Sequence, residues 1–360
     1  MTSERRSNNR QWRGRVIGAI AAGTVLFPLL AACGSDSDAS QTNDARNATK
    51  TAAASESTSG GFPVTLTGAF GDVTIESKPE RVLALSPTDA DIVLSLGVTP
   101  IAIPTSAQTD ATTNKTGLFP WAEGKYPAGT PKLDLSTAQS STLEAILALE
   151  PDVMVGTAFY GLVDQTNAAL KDVAPVVSYT TAPNGDSWQD STRKVAKALG
   201  LESKGEEVIA SAESTLTDAA AANPQLKGEK FNVLISPSAS EVYILCSADD
   251  NLGRVMKEFG MVLSEYAQSV PCTNGRTKVS YENLDKLDAD VLIAFPDTAE
   301  QMSYLTDQQL WNNLSAVKRG AVVEIPKTES VPAALAFPSA PSLEWAVGQM
   351  TPLIVEAAAK

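Results

Sequence analysis

Carboxylates, hydroxyls and aromatic rings are the side chains with which this sequence can do chemistry, because its 360 residues contain no histidine. Without imidazole there is no Ser-His-Asp or Cys-His nucleophile, no histidine-based zinc site and no imidazole ligand for haem. The sequence has no glycine-rich phosphate-binding loop, and no carboxylate pair stands out among its 42 acidic residues. These absences predict a protein that is not an enzyme, with a carboxylate-dependent hydrolase as a minor alternative.

The first 32 residues have the pattern of a secretory signal peptide. Five arginines precede an apolar run at 16–32, which is shorter than a typical membrane-spanning helix. The residues LAACG at 30–34 resemble the lipobox of bacterial lipoproteins, so we expect cleavage before Cys33 and a lipid on its thiol. The protein would then lie on the extracytoplasmic face of the cell membrane, held by this anchor. The alternative is an ordinary signal peptide and a free protein.

The composition divides the rest of the chain. Residues 33–61 are dominated by Ser, Thr, Ala, Asp and Asn, which cannot form a core and predict a flexible tether. The remaining 300 or so residues are too many for one ordinary core and suit two lobes. We predict an N-terminal lobe at 62–185, a connecting helical segment at 186–222 and a C-terminal lobe at 223–360.

Charge restricts the possible partners. Without residues 1–32 the chain has 23 basic and 41 acidic side chains, a net charge of −18. Nucleic acid and anionic lipid would repel so acidic a body, so neither is expected as a partner.

Two cysteines remain if Cys33 carries a lipid. Cys246 and Cys272 are an even pair in an exported protein, which favours a disulfide worth about 3 kcal/mol. The alternative is two separate buried thiols.

Short apolar runs alternate with helical patterns in both halves of the body. After the predicted strand at 81–85, Ser86, Pro87 and Asp89 supply an N-cap, a first-turn proline and an early acid. A helix ending at Gly97 and a strand at 98–103 are expected next. Further strands are predicted at 151–155, 175–177, 231–235, 242–245, 291–295 and 321–325. The pattern predicts two α/β lobes, with parallel-type sheets flanked by helices.

The segment 186–222 is helical in pattern, with an interruption at Gly200. From Glu202 it would extend about 30 Å at 1.5 Å per residue, enough to join the two lobes.

An internal repeat relates the two lobes. In each copy a hydroxyl residue is followed two positions later by Glu144 or Glu282, and eight positions after that by an Asp-Val pair, at Asp152 and Asp290. The repeat predicts a short helix that leads into a strand in each lobe.

Three motifs carry a resemblance to a known family. They are Gly68-Ala69-Phe70-Gly71 with KPERV at 78–82, ALEPDV at 148–153, and Trp311 with AVKRG at 316–320. In this order they resemble the iron-siderophore and cobalamin class of periplasmic-type binding proteins, from about Phe62 onward. The resemblance implies two lobes joined by one rigid helix, a ligand cleft between them, a ferric siderophore or similar iron complex as ligand, and the permease of an ABC importer as partner of a monomer.

In the resembled family a glutamate on each lobe docks into arginine pockets of the permease. Glu144 and Glu282 match those positions, and two carboxylates on opposite lobes would fix the orientation of docking. The alternative is that both are first-turn acids that complement helix dipoles.

Candidate ligand contacts follow the carboxyl ends of the predicted strands or lie in loops that the resembled family turns toward its ligand. Aromatic rings would pack on the organic part of a siderophore, and Arg254, Arg276 or Lys132 would meet its charge. The candidates are Ser86, Thr105, Trp121, Phe159, Tyr160, Trp188, Tyr243, Arg254, Phe295 and Phe337, with Ser236 and Ser238 beside them. For each of them ordinary packing is the alternative.

The metal is expected to arrive already chelated, so neither a protein metal site nor a cofactor is predicted. Haem bound through Tyr160 or Tyr243, or cobalamin, is an alternative ligand in the same fold. An alternative of another class is a cell-envelope interaction lipoprotein that contacts a protein or wall polymer instead of a permease.

Overall fold

The computed structural model describes residues 61–105, 112–113, 116–135 and 140–360. The predicted signal peptide, Cys33 and nearly all of the tether lie outside these residues. No helix among the residues described is both long enough and apolar enough to cross a membrane.

The N-terminal lobe begins with an antiparallel hairpin and continues as parallel β-structure. Strands β3, β6 and β7 form one parallel sheet in that order, and β4 and β5 form a separate parallel pair. Its elements are β1 (Val64–Gly68), β2 (Gly71–Ile75), β3 (Val82–Ala84), α1 (Pro87–Ser95), β4 (Ile103–Thr105), a 3₁₀ turn (Pro120–Ala122), β5 (Lys132–Asp134), α2 (Ser140–Ala148), β6 (Val153–Gly156), α3 (Asp164–Leu170) and β7 (Val176–Ser178).

The strand predicted at 98–103 is wrong in position. The structure forms β4 at Ile103–Thr105, so Pro104 lies inside a strand instead of ending one. Among the residues described, β4 pairs only with β5. A proline, which has no N–H to donate, is tolerated in such an edge position.

Two helices follow the N-terminal lobe, α4 (Trp188–Ala198) and α5 (Glu202–Ala222), separated at Gly200 as predicted. They pack closely, because a Cβ on Gly205 would lie 2.6 Å from the Cβ of Ala196. Val208 of α5 packs against the N-terminal core, whereas Leu216 belongs to the C-terminal core. With 21 residues, about 30 Å at 1.5 Å each, α5 spans both cores.

The C-terminal lobe is built on a six-stranded mixed sheet in the order β11-β9-β8-β12-β13, with β10 paired to β8. Strands β8, β10, β12 and β13 are parallel, and β9 runs antiparallel to both of its neighbours, β8 and β11. Its elements are β8 (Lys230–Ile235), β9 (Glu241–Leu245), α6 (Asn251–Glu258), β10 (Val262–Leu263), α7 (Glu265–Ser269), β11 (Arg276–Ser280), β12 (Val291–Phe295), α8 (Ser303–Thr306), α9 (Gln309–Asn313), α10 (Ser315–Arg319), β13 (Val322–Glu324), α11 (Ser330–Ala336) and α12 (Ala340–Ala358), with 3₁₀ turns at Pro224–Leu226, Tyr281–Leu287 and Ala299–Met302.

The largest apolar core fills the C-terminal lobe, and two smaller cores fill the N-terminal lobe. Trp311 is buried in the large core together with Leu314. The final helix, α12, packs against α5, α11 and α1, so it contacts elements of both lobes. Two α/β lobes joined by one long helix are the architecture predicted from the sequence.

Candidate functional site

A cleft of about 220 Å³ opens where the carboxyl ends of the C-terminal strands face the N-terminal lobe. Thr112 comes from the N-terminal lobe, and every other described lining residue comes from the C-terminal lobe. The lining residues are Thr112, Ile235, Leu252, Arg276, Phe295, Lys327, Pro332, Ala333, Ala336 and Phe337. Clefts at the carboxyl ends of parallel strands are the usual ligand sites of α/β folds.

Strand register places Tyr243 in the same row as Phe295, which lines this cleft. Phe295 is paired with Ile235, which is paired with Tyr243, which in turn is paired with Lys278. Residues paired across neighbouring strands point to the same face of a sheet, so these four form a row across β12, β8, β9 and β11. The Lys278 ammonium lies 5.2 Å from the centre of the Tyr243 ring, which is 40% exposed.

Aromatic rings from both lobes meet at the rim. The Tyr160 ring, 62% exposed, lies edge-on to Phe337 with 6.1 Å between ring centres. Phe337 is the C-cap of α11 and also lines the cleft. Neighbouring Phe159 packs against the N-terminal core instead. Phe295 and Phe337 therefore line the cleft, and Tyr160 contacts Phe337 at its rim. Tyr243 lies in the same row as Phe295 but does not line the cleft.

Two cations line the cleft, and each is paired with an aspartate. Arg276 Nη1 lies 2.8 Å from an Asp250 carboxylate oxygen. Lys327 Nζ donates to Ser236 Oγ at 2.5 Å and lies 3.0 Å from Asp297 Oδ1. Burial raises the pKa of Asp297, but hydrogen bonds from Lys327 and Ser236 outweigh it and hold the pKa below its usual value.

Asp89, a buried acid on α1, binds the residue that follows β6. Asp89 accepts hydrogen bonds from Thr157 N and Oγ1, both at 2.7 Å, and from Ser86 Oγ at 2.5 Å. Burial raises the pKa of Asp89 to about 6, and these hydrogen bonds oppose the shift. Ser86, predicted as a ligand contact, is thus a buried helix cap whose hydroxyl is engaged by Asp89.

Trp121 lies away from the first cleft. Its indole N–H donates to Asp91 Oδ2 at 2.7 Å, and its ring stacks on Phe119 with 4.7 Å between centres. It lines a different cleft, of about 320 Å³, together with Lys204 and Glu344 from the connecting and final helices. Thr105, another predicted contact, is buried and donates to the Leu133 carbonyl at 3.3 Å.

Trp188 and Arg254 lie in a third cleft, of about 610 Å³, formed by α4, α5, α6 and the start of α12. The structure therefore does not bring them together with Phe295 and Phe337. Lys132, also considered for charge, is exposed at the start of β5. As ligand contacts, these residues remain predictions.

Glu144 and Glu282 are both exposed, one on each lobe. Glu144 lies within α2, and Glu282 lies in the first turn of the 3₁₀ segment Tyr281–Leu287. The repeat that contains them is also visible in hydrogen bonding. Asp152 accepts from Glu80 N at 2.6 Å and Arg81 N at 2.9 Å, and Asp290 accepts from Lys230 N at 2.7 Å. In both lobes the aspartate before one strand thus binds the start of the neighbouring strand.

A disulfide joins Cys246 at the end of β9 to Cys272, with Cα atoms 5.7 Å apart. Cys246 N also donates to the Gly275 carbonyl at 3.0 Å. The bridge therefore ties down the turn that precedes Arg276.

Lys327 and Asp297 were missed in the sequence. Both follow the carboxyl ends of predicted strands, so the rule that nominated Ser236 and Phe295 would also have found them. No group of three or more Cys, Asp or Glu side chains in the described residues is arranged to hold a metal.

The sequence of this chain is similar to those of two bacterial binding proteins. The Fe(3+)-citrate-binding protein YfmC of Bacillus subtilis is 28% identical over 259 residues, covering 71% of this chain and 75% of that protein. The probable siderophore-binding lipoprotein YfiY of the same organism is 25% identical, covering 82% of this chain and 86% of that protein.

A solved structure gives the same result. PiaA of Streptococcus pneumoniae in complex with ferrichrome superposes with a TM-score of 0.68 at 26% identity, covering 82% of this chain and 98% of that one. The model of the periplasmic binding protein family matches residues 82–329, more than half of the sequence. The chain belongs to the periplasmic binding protein family.

Proposed function

We propose that this chain is a solute-binding lipoprotein that captures a ferric siderophore or similar iron complex outside the cell membrane and delivers it to an ABC importer. The observation that carries the proposal is the cleft at the carboxyl ends of the C-terminal strands, which Phe295 and Phe337 line together with Arg276 and Lys327. Tyr160 contacts Phe337 at the rim. Aromatic faces suit the organic shell of a chelate, and cations suit its charge.

The names of similar proteins support the same function. One is named for Fe(3+)-citrate, one as a probable siderophore-binding lipoprotein, and one was solved with ferrichrome. In this proposal the iron complex is cargo, and the protein needs no cofactor and catalyses no reaction.

Delivery requires attachment and docking. Cys33 would carry the lipid that holds the protein at the extracytoplasmic face of the membrane. The exposed Glu144 and Glu282 would then contact arginine pockets of the permease, one from each lobe. The protein would act as a monomer, because docking of this kind uses each lobe once.

Tryptophan fluorescence titration tests capture. The purified protein is titrated with ferric citrate, ferric hydroxamates, ferric catecholates, haem, cobalamin and free metal ions. We expect saturable quenching by at least one ferric chelate and no response to the iron-free chelator. Saturable quenching by haem or cobalamin alone would show that one of these, not a ferric chelate, is the cargo. If no compound in the panel changes the fluorescence, and calorimetry also detects no binding, an interaction lipoprotein is favoured.

A matched pair of tyrosines locates the site. Tyr160→Ala removes an exposed ring at the cleft rim, whereas Tyr304→Ala removes one that is 40% exposed elsewhere in the C-terminal lobe. We expect the first variant to bind the chelate more weakly and the second to bind like wild type. Equal affinities would show that the ligand lies elsewhere.

A further inference from the structure

We infer that the cleft selects ferric complexes that carry carboxylate groups and a net negative charge, with Arg276 and Lys327 as their binding residues. This inference rests on the proposed function and specifies its substrate class. The cleft's described lining contains these two cations and no carboxylate. Each cation is paired with an aspartate outside this lining, so a neutral hydroxamate complex would leave only their remaining donors without an anionic partner.

Each cation is held in place and retains donors. Asp250 binds Arg276 through Nη1 alone, and the same Nη1 donates to the Gly275 carbonyl at 3.1 Å. Within the described chain, Arg276 Nε and Nη2 have no hydrogen-bond partner. A guanidinium fork fixed at one corner suits a carboxylate, because two parallel N–H groups match its two oxygens.

Lys327 is oriented in the same way. Its ammonium has three donors, of which one goes to Ser236 Oγ and one to Asp297 Oδ1. Asp297 also accepts from Ser236 Oγ at 2.9 Å, and its own backbone N–H donates to Gln301 at 2.8 Å. The aspartate is thus fixed in position, and the third ammonium donor remains for a ligand.

These two cations lie in a protein whose overall charge is strongly negative. The sequence after residue 32 is strongly acidic, with a net charge of −18. An anionic ligand would be repelled from most of this surface, so binding requires a locally basic site. Arg276 and Lys327 are each paired with an aspartate, but the donors that these pairs leave unused face an anionic ligand where the strands end.

The volume and the apolar lining of the cleft restrict the class of ligand further. At about 220 Å³ the cleft is smaller than the ~300–1,000 Å³ typical of sites for drug-sized ligands. A compact chelate fits this space better than a macrocycle such as haem or cobalamin. Phe295 and Phe337 would cover its hydrocarbon part while the carboxylates face the cations. A ferric di- or tricarboxylate, such as a hydroxycarboxylate complex, meets these conditions.

The test compares three ferric complexes of different charge. Calorimetry on the purified protein uses ferric citrate, which is anionic, ferrichrome, which is neutral, and ferrioxamine B, which is cationic. Wild type should bind ferric citrate most tightly, with an affinity that falls as salt is added. Arg276→Gln and Lys327→Gln should each weaken ferric citrate about tenfold or more, as expected for loss of a charge-assisted hydrogen bond.

Two further variants keep the test interpretable. Arg254→Gln removes an exposed cation from a different cleft and should bind ferric citrate like wild type. Arg276→Lys keeps the charge beside Asp250 but loses the fork, so it should fold and give an intermediate affinity. Melting curves identify any variant that fails to fold.

The outcomes separate this inference from the proposed function. Tight binding of ferrichrome or ferrioxamine B that is unchanged in Lys327→Gln and Arg276→Lys would overturn the anionic class and leave iron capture intact. Binding of no ferric complex would overturn both. Iron-free citrate that binds as tightly as ferric citrate would identify a carboxylate site that does not require the metal, and would also overturn the inference.

Discussion

Asp91, on the first helix of the N-terminal lobe, accepts a hydrogen bond at 3.1 Å from Ser339, which lies 248 residues later and caps α12. The same carboxylate oxygen accepts from the Trp121 indole. Two residues away from Ser339, Phe337 lines the cleft at the carboxyl ends of the C-terminal strands, and Ala336 O accepts from Asn184 at 2.9 Å. The short segment 336–339 is therefore held by both lobes where it borders the cleft.

Asp91 predicts a pH dependence of stability. Burial raises its pKa from 3.8 to about 7, the two hydrogen bonds oppose the shift, and the charge of Asp89 adds to it. Since the folded pKa lies above the unfolded one, protonated Asp91 stabilises the fold. This contribution is fully present below about pH 4 and is lost as the pH rises through about 7.

Urea denaturation at a series of pH values checks this. For wild type the free energy of unfolding should fall between pH 4 and 7, with Asp91 contributing on the order of 4 kcal/mol at most and Asp89 acting in the same direction below about pH 6. Asp91→Asn cannot ionise, so its curve should be flatter over this range. Parallel curves for the two proteins would contradict the assignment.

If Glu144 and Glu282 dock to the permease, variants at these positions should lose transport of the iron complex and still bind it. Glu144→Ala combined with Glu282→Ala should bind the iron complex with unchanged affinity, because both side chains are exposed and neither lines the cleft. Uptake of labelled iron by cells that depend on this protein should be lost. Glu76→Ala, another exposed glutamate, serves as the control and should transport normally. Normal uptake by the double variant would remove these residues from docking.

The repeated aspartates predict unequal losses of stability. Asp152→Ala removes an acceptor from two backbone N–H groups, and Asp290→Ala removes one from a single N–H. We expect the first to lower the free energy of unfolding by about 1–2 kcal/mol and the second by less. Asp152→Asn retains one acceptor oxygen and should fall between wild type and Asp152→Ala. Losses below about 0.5 kcal/mol for both alanine variants would show that these bonds contribute little.

The disulfide should support both stability and the cation site. Cys246 and Cys272 are 26 residues apart in the sequence, so replacing both by serine opens the loop that the disulfide closes. We expect this change to lower the free energy of unfolding by about 3 kcal/mol. Because the bridge fixes the turn before Arg276, affinity for ferric citrate should also fall. Unchanged affinity in the folded double-serine variant would show that Asp250 alone positions Arg276.

Strands and helix caps were the most predictable features. The run that became β12 is continuously apolar because both faces of this central strand are buried, and the run of β8 is apolar from Phe231 except for the buried Asn232. Ser86 with Pro87 marked the start of α1. The run at 98–103 misled because it is apolar but lies mostly in a loop, with only its last residue in β4. Apolar composition indicates burial and does not by itself distinguish a strand from a packed loop.

The site was only partly predictable. Phe295, the last residue of β12, comes to the cleft because strand order and register place it beside Ile235, which also lines the cleft. Trp121 and Trp188 lie in clefts beside the connecting helix, and their positions depend on how helices pack after the chain has folded. Side-chain partners such as Asp91 for Trp121 are far apart in sequence, so no local pattern reports them.

Calorimetric titration of the purified protein with ferric citrate, and in parallel with iron-free citrate, tests the central claim most directly. The proposed function predicts that ferric citrate binds saturably, with one complex per protein. Iron-free citrate should show no comparable binding. Absence of binding to ferric citrate and to the hydroxamate and catecholate complexes would contradict iron capture by this chain.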